Sequence, residues 1–164
     1  MPGTNPLYYW DTCLFLAWLK DENRKSGEMD GVREIIERAK RREVKLMTSV
    51  LTPVEVLSAK IPAGMDTLFK ELMKRMNRQG MDIRVASLAH DIRNHYALKN
   101  EKIPKTPDAI HLATAILYRA NEFHTFDEQL IGYSGNVGGN KLIVCKPESK
   151  RPQFDLQKPD PSAP

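Results

Sequence analysis

The sequence predicts an α/β domain in which helices cover a mostly parallel sheet. Three observations predict it. Short apolar runs with β-type patterning alternate along the chain with stretches whose apolar residues recur at helical spacing. Two of the helical stretches open on Thr-Pro, at Thr52-Pro53 and Thr106-Pro107, where Thr suits a cap and Pro the first turn. A chain of 164 residues with 41% hydrophobic and 28% charged residues is long enough to bury one core without disulfide or metal staples.

In chain order, Leu7 to Trp10 form a first strand that stops at Asp11, and Leu14, Phe15, Trp18 and Leu19 mark the helix after it. Lys20 to Gly31 is polar and reads as a loop. Val32, Ile35, Ile36 and Ala39 share one face of a second helix whose other face is charged. Val44 to Leu51 is a second strand, and a helix opens at Thr52-Pro53. Met65, Leu68, Phe69, Leu72, Met73 and Met76 form a core stripe on the next helix. Met81 to Val85 is the third strand expected, followed by a helix capped at Ser87 that turns Leu88, Ile92 and Tyr96 inward.

Lys99 to Lys105 is a basic connector into the helix at Thr106-Pro107, whose inner face carries Ala109, Ile110, Ala113, Ile116, Leu117 and Ala120. Phe123 to Thr125 and Leu142 to Cys145 supply the fourth and fifth strands. Gly132 to Asn140 holds four glycines without the GK[ST] ending of a phosphate-binding loop, so it is expected to be a mobile turn. From Pro147 the composition shifts, with five of the eleven prolines in the last 18 residues. The division expected is a folded domain over 1–146 and an extended or disordered tail over 147–164.

Composition excludes several classes. No window approaches the ~18 apolar residues of a spanning helix, and the N-terminus lacks a secretory start, so a soluble cytoplasmic protein without membrane contact is expected. Cys13 and Cys145 form no CxxC pair and are expected to be buried free thiols. His90 and His95 share no helix face well, His111 is expected to pack at a helix surface, and His124 reads as a satisfied core residue. These patterns speak against a zinc enzyme or a Cys/His hydrolase. The formal charge of +4 permits a nucleic-acid partner without arguing for one.

Ligands of open α/β sheets bind at the carboxyl ends of the strands. Four acids fall there: Asp11 at the end of the first strand, Glu55 after the second, Asp108 after Thr106-Pro107, and Asp127 after Thr125-Phe126. Each has a capping explanation of its own. Thr52 to Glu55 matches a capping box, Thr125 to Glu128 matches another, Asp108 suits a helix first turn, and Asp11 suits an N-cap. Their coincidence at one sheet edge points instead to a metal site, because clustered carboxylates repel and hard oxygen ligands suit Mg2+ or Mn2+.

Four stretches carry a family resemblance: Tyr9 to Thr12, Leu51 to Leu57, Pro107 to Ala115 and Thr125 to Asp127. The run Asp108-Ala109-Ile110-His111-Leu112-Ala113-Thr114-Ala115 is the most specific. Over roughly residues 5–146 the chain resembles the PIN-domain nucleases, and within them the VapC-type toxins. The resemblance implies an α/β/α sandwich with strand order 3-2-1-4-5. It implies a metal-dependent ribonuclease acting on single-stranded or loop RNA, with Asp11, Glu55, Asp108 and Asp127 as the Mg2+ or Mn2+ ligands and Thr125 as a supporting hydroxyl. It also implies cleavage to a 5′-phosphate and a 3′-hydroxyl, a cognate antitoxin that blocks the site with a basic side chain, and a homodimer.

Setting aside those four acids leaves 17 acidic groups against 25 basic ones, a balance of +8 that suits a phosphodiester substrate. Lys99, Lys102 and Lys105 are the candidate RNA contacts, since their connector leads into Asp108. Lys40, Arg41, Arg42 and Lys45 read as a solvated helix end. The rival readings are a catalytically silent PIN-like RNA- or protein-binding module, and a housekeeping RNA-processing nuclease.

Overall fold

The computed structural model describes residues 3–24 and 27–149. Five strands form one sheet: β1 (Leu7–Trp10), β2 (Lys45–Ser49), β3 (Asn77–Gln79), β4 (Glu122–His124) and β5 (Ile143–Cys145). They pair in the order β3-β2-β1-β4-β5, and every pairing is parallel. The expected class and strand order are therefore those observed.

Among the described residues, seven α-helices connect the strands: α1 (Thr12–Leu19), α2 (Glu28–Lys40), α3 (Leu51–Glu55), α4 (Met65–Arg75), α5 (Ile83–Leu98), α6 (Thr106–Leu117) and α7 (Glu128–Ile131). Side chains alternate across the pleat, so β1 feeds two cores. Tyr8 and Trp10 join Leu14, Phe15, Val32, Ile35, Phe69 and Met73 from α1, α2 and α4. Tyr9 joins Met47 and Phe123 with Val85, Ile92, Ala109, Leu112 and Ala113 from α5 and α6. Tyr9 stacks on Phe123 with ring centroids 5.0 Å apart. The sheet is thus covered on both faces, as an all-parallel sheet requires.

Several element boundaries differ from expectation. α2 opens at Glu28, where Gly27 takes φ 87, so the polar loop is shorter than the sequence suggested. The third strand is Asn77–Gln79 and not Met81 to Val85. Asp82 accepts from the amides of Arg84 and Val85, which starts α5 before Ser87. β3 is a polar edge strand, and its pairing with β2 decides it where side-chain pattern cannot. The Gly-rich turn after α7 is packed: Val137 is buried, Tyr96 Oη donates to the Asn136 carbonyl, and the Gly138 amide donates to Tyr96 Oη. Both cysteines are half-buried rather than buried, and both are free.

Of the expected tail, Pro147 to Ser149 lies against α2. The Pro147 carbonyl comes so close to Gly31 that an added Cβ would stand 2.0 Å from its oxygen. Ser149 donates to Glu34, and Lys146 Nζ bonds Glu28 at 2.9 Å and Glu128 at 2.8 Å. The rest of that expected tail, 150–164, lies outside the described residues.

Candidate active site

The strand order reverses at β1: β2 and β3 lie on one side and β4 and β5 on the other. The carboxyl ends of β1 and β4 therefore flank the crevice where parallel sheets bind ligands. Asp11 follows β1 directly, and its amide donates to the His124 carbonyl at 3.1 Å, extending the β1–β4 ladder by one step. Thr125 follows β4 on the other side of that step.

Asp11 is buried, and both of its carboxylate oxygens are held. Oδ1 accepts the Thr12 amide at 2.9 Å, as the N-cap of α1, and Oδ2 accepts the Thr125 hydroxyl at 2.8 Å. Capping and site-building thus coexist in one side chain. Thr125 Oγ1 also accepts the Asp127 amide at 3.0 Å, so one buried hydroxyl ties two of the four acids together. The expected capping box at Thr125 does not form; Asp127 itself caps α7, through Oδ1 alone.

On the other flank the capping box expected of Thr52 to Glu55 is absent as well. Glu55 is the last residue of α3, and Oε1 accepts Thr12 Oγ1 at 2.9 Å and pairs with His111 Nε2 at 2.5 Å. Thr52 turns to the Thr48 hydroxyl at 2.6 Å. A string of hydrogen bonds therefore runs Asp127, Thr125, Asp11, Thr12, Glu55, His111 across four elements.

His111 is the residue the sequence reading misplaced: it is fully buried, not at a helix surface. Its Nδ1 lies 2.5 Å from the Tyr9 hydroxyl. With a carboxylate at Nε2 that ring nitrogen carries the proton, and in the neutral ring Nδ1 accepts from Tyr9. The signal was present in the sequence, because His111 sits three residues after Asp108 and so on the same face of α6.

Asp108 occupies the first turn of α6 and makes no cap bond there. Burial, and next to it the charges of Asp11 and Asp127, push its carboxyl up to about 6; Glu55 adds to this and His111 opposes it. All four acids thus share one electrostatic environment. Burial also acts upward on Glu55, but the hydrogen bond and charge of His111, with the Thr12 hydroxyl, outweigh it and hold that carboxyl below its ordinary value.

The donor set is four carboxylates with negative charge in excess, which fits a hard divalent cation held by oxygen. No three of these four carboxylates bring donor atoms within 4.8 Å of one another. Among the described residues, the trio of His, Cys, Asp or Glu donor atoms lying within 4.8 Å of one another is elsewhere, at Glu122, His124 and Cys145.

Lys99, Lys102 and Lys105 are exposed on the connector from α5 to α6, which Tyr133 anchors by donating to the Lys102 carbonyl at 2.6 Å. Lys105 is the residue immediately before α6 and therefore three positions from Asp108. Lys40, Arg41, Arg42 and Lys45 lie between the end of α2 and the start of β2, at the opposite edge of the sheet from the acids. Lys40 and Arg41 are paired there with Glu37 and Glu43. A cation the sequence reading did not single out is Arg24, whose guanidinium lies 4.0 Å over the Phe126 ring, next to Asp127.

The family model of the PIN domain matches residues 8–135. Among solved structures, a toxin-antitoxin complex from Klebsiella pneumoniae is 20% identical with TM-score 0.58, covering 82% of this chain and 96% of that one. VapBC2 from Rickettsia felis, solved bound to a DNA fragment from its promoter, is 12% identical with TM-score 0.62, covering 84% and 96%. FitAcB from Neisseria gonorrhoeae is 18% identical with TM-score 0.56, covering 85% and 97%. Among curated proteins, none matches the chain.

Proposed function

The chain belongs to the PIN-domain family, and from that premise we propose that it is a Mg2+- or Mn2+-dependent endoribonuclease and the toxin of a toxin-antitoxin pair. The observation that carries this reading is the string of bonds by which Thr125 and Thr12 hold Asp11 between Asp127 and Glu55. The Thr125 hydroxyl fixes the Asp11 carboxylate and the Thr12 hydroxyl that of Glu55, which supports a preorganised rim, since acids serving as caps alone would have no reason to be linked. The toxin role draws on the structural likeness to toxin-antitoxin proteins.

In this reading Asp11, Glu55 and Asp108 would hold the principal cation, and Asp127 would complete the site or hold a second one. A cation there would supply Lewis-acid polarisation of the phosphate and a more acidic water. Thr125 keeps Asp11 and Asp127 in register, and His111 keeps Glu55 turned inward. Lys99, Lys102 and Lys105 hold the RNA backbone beside the negative rim. In-line attack by water forms the new P–O bond, and the P–O3′ bond breaks, leaving a 5′-phosphate and a 3′-hydroxyl. A cognate antitoxin would silence the enzyme by placing a basic side chain among the acids. A homodimer in the cytoplasm is the working form proposed.

The test is cleavage of single-stranded and stem-loop RNA with Mg2+, with Mn2+ and with EDTA, repeated for Asp11→Asn and Asp108→Asn. Cleavage that needs the cation and is lost in both variants supports the reading; undiminished cleavage by both would sink it.

A further inference from the structure

A second cluster of donor groups lies on the sheet face that carries α1, α2 and α4. Glu122 opens β4 and His124 closes it two residues later, while Cys145 stands beside His124 in β5 by direct register. One ligand atom from each lies within 4.8 Å of the other two. His124 Nε2 is 2.7 Å from Glu122 Oε2, and Cys145 Sγ is 3.7 Å from that same oxygen. An imidazole N–H and a thiol S–H thus converge on one carboxylate oxygen.

We infer that Glu122, His124 and Cys145 form a site for a thiophilic divalent cation, Zn2+ being the best match, with solvent in the fourth position. The inference stands apart from the proposed nuclease and does not depend on it. A mixed nitrogen, sulfur and oxygen set is what Zn2+ takes, whereas the rim, with oxygen donors, suits Mg2+ or Mn2+. Two hydrogen-bonded strands carry the ligands, so their spacing is set before any ion arrives. Packing fixes the imidazole, its ring centroid lying 4.5 Å from that of Tyr8. The His124 side chain is 2% exposed and that of Glu122 39%.

Burial, with the charge of Glu122 and then of Glu148, keeps the Cys145 thiol protonated, its pKa pushed up to about 12. A bound dication supplies the positive charge that the thiolate lacks. The proton balance is explicit. Loading releases the thiol proton to solvent and moves the ring proton of His124 from Nε2 to Nδ1. Trp10 Nε1, which now donates to that Nδ1 at 3.2 Å, loses its acceptor. This opposes binding and also provides a reporter, since Trp10 is one of two tryptophans in the chain.

The experiment titrates full-length, EDTA-stripped protein with Co2+ in excess Mg2+, which competes for any all-oxygen site, and then adds Zn2+. The expected result is one equivalent of Co2+ with a thiolate-to-cobalt charge-transfer band, displaced by Zn2+ and accompanied by a change in tryptophan emission. Cys145→Ser removes the band, Glu122→Gln weakens Co2+ at least about tenfold, and Cys13→Ser leaves both intact. Circular dichroism confirms that each variant is folded. A wild-type protein without the band, or a band that survives Cys145→Ser and disappears in Cys13→Ser, overturns the inference.

Discussion

His111 Nε2 lies 2.5 Å from Glu55 Oε1, joining the end of α3 to the first turns of α6 across 56 residues of chain. The pair converts a helix end with no cap function for its glutamate into a fixed wall of the acidic rim. Because His111 is fully buried and its other nitrogen faces the Tyr9 hydroxyl, the ring cannot swing away without leaving polar groups unpaired.

His111→Leu keeps the volume and removes the bond. Mn2+ affinity measured by calorimetry should fall about 10–100-fold, and stability should fall by ~2–4 kcal/mol as Tyr9 and Glu55 lose a partner. Unchanged Mn2+ affinity in a folded variant would show that Glu55 is held by other means.

Asp108 predicts a pH dependence. In the metal-free protein its carboxyl is raised to about 6, so the folded state resists its ionisation. The cost is absent below about pH 4, grows between about 4 and 6, and is complete above that. Discounted for partial exposure it is ~1–2 kcal/mol. Asp108→Asn in EDTA should therefore melt higher than wild type by roughly 3–6 °C near neutral pH and show no such gain near pH 4. Equal melting at both pH values contradicts the shared electrostatics of the rim.

Cation binding should stabilise the fold by mass action. Mn2+ at about 100 times its Kd adds ~2.7 kcal/mol, read as a rise in Tm that EDTA reverses. Asp11→Asn should abolish the rise, because that variant loses the acid at the centre of the string of bonds.

Thr125→Val removes the hydroxyl between Asp11 and Asp127 at nearly constant shape. We expect ~1–3 kcal/mol of lost stability and a fall in RNA cleavage of about 10–100-fold, with kcat carrying the larger share. Thr125→Ser should restore most of both.

Gly31→Ala reverses an ordinary rule. Alanine in a helix interior normally gains ~1 kcal/mol over glycine, but here the new Cβ meets the Pro147 carbonyl oxygen at 2.0 Å. The substitution should lower stability by ~1–3 kcal/mol and expose the chain after Cys145 to limited proteolysis. A stabilised, protease-resistant variant would show that the Pro147 contact does not persist in solution.

The class of fold and the order of the helices were legible because they depend on short-range periodicity and on punctuation such as Thr52-Pro53 and Thr106-Pro107. β3 was not, since Asn77 to Gln79 carries no apolar alternation and becomes a strand by pairing with β2. The early start of α5 follows from Asp82 outcompeting Ser87 as a cap, a choice between two acceptable residues that local pattern leaves open.

The positions of the acids could be read from the sequence for Asp11 and Asp127, which follow strands, and for Asp108 in the first turn of a helix, but not for Glu55, which closes α3. How they are held could not. Asp11 acts as a cap through one oxygen and as a site residue through the other. Glu55, which the capping box explained locally, is claimed by His111 instead. By itself the sequence determined which residues cluster at which edge, since strand and helix periods are local properties of the backbone. Only the tertiary structure decided which hydroxyl and imidazole partner Asp11 and Glu55, because those bonds join residues 43 to 114 positions apart and form only once the sheet has set β1 beside β4 and α3 beside α6.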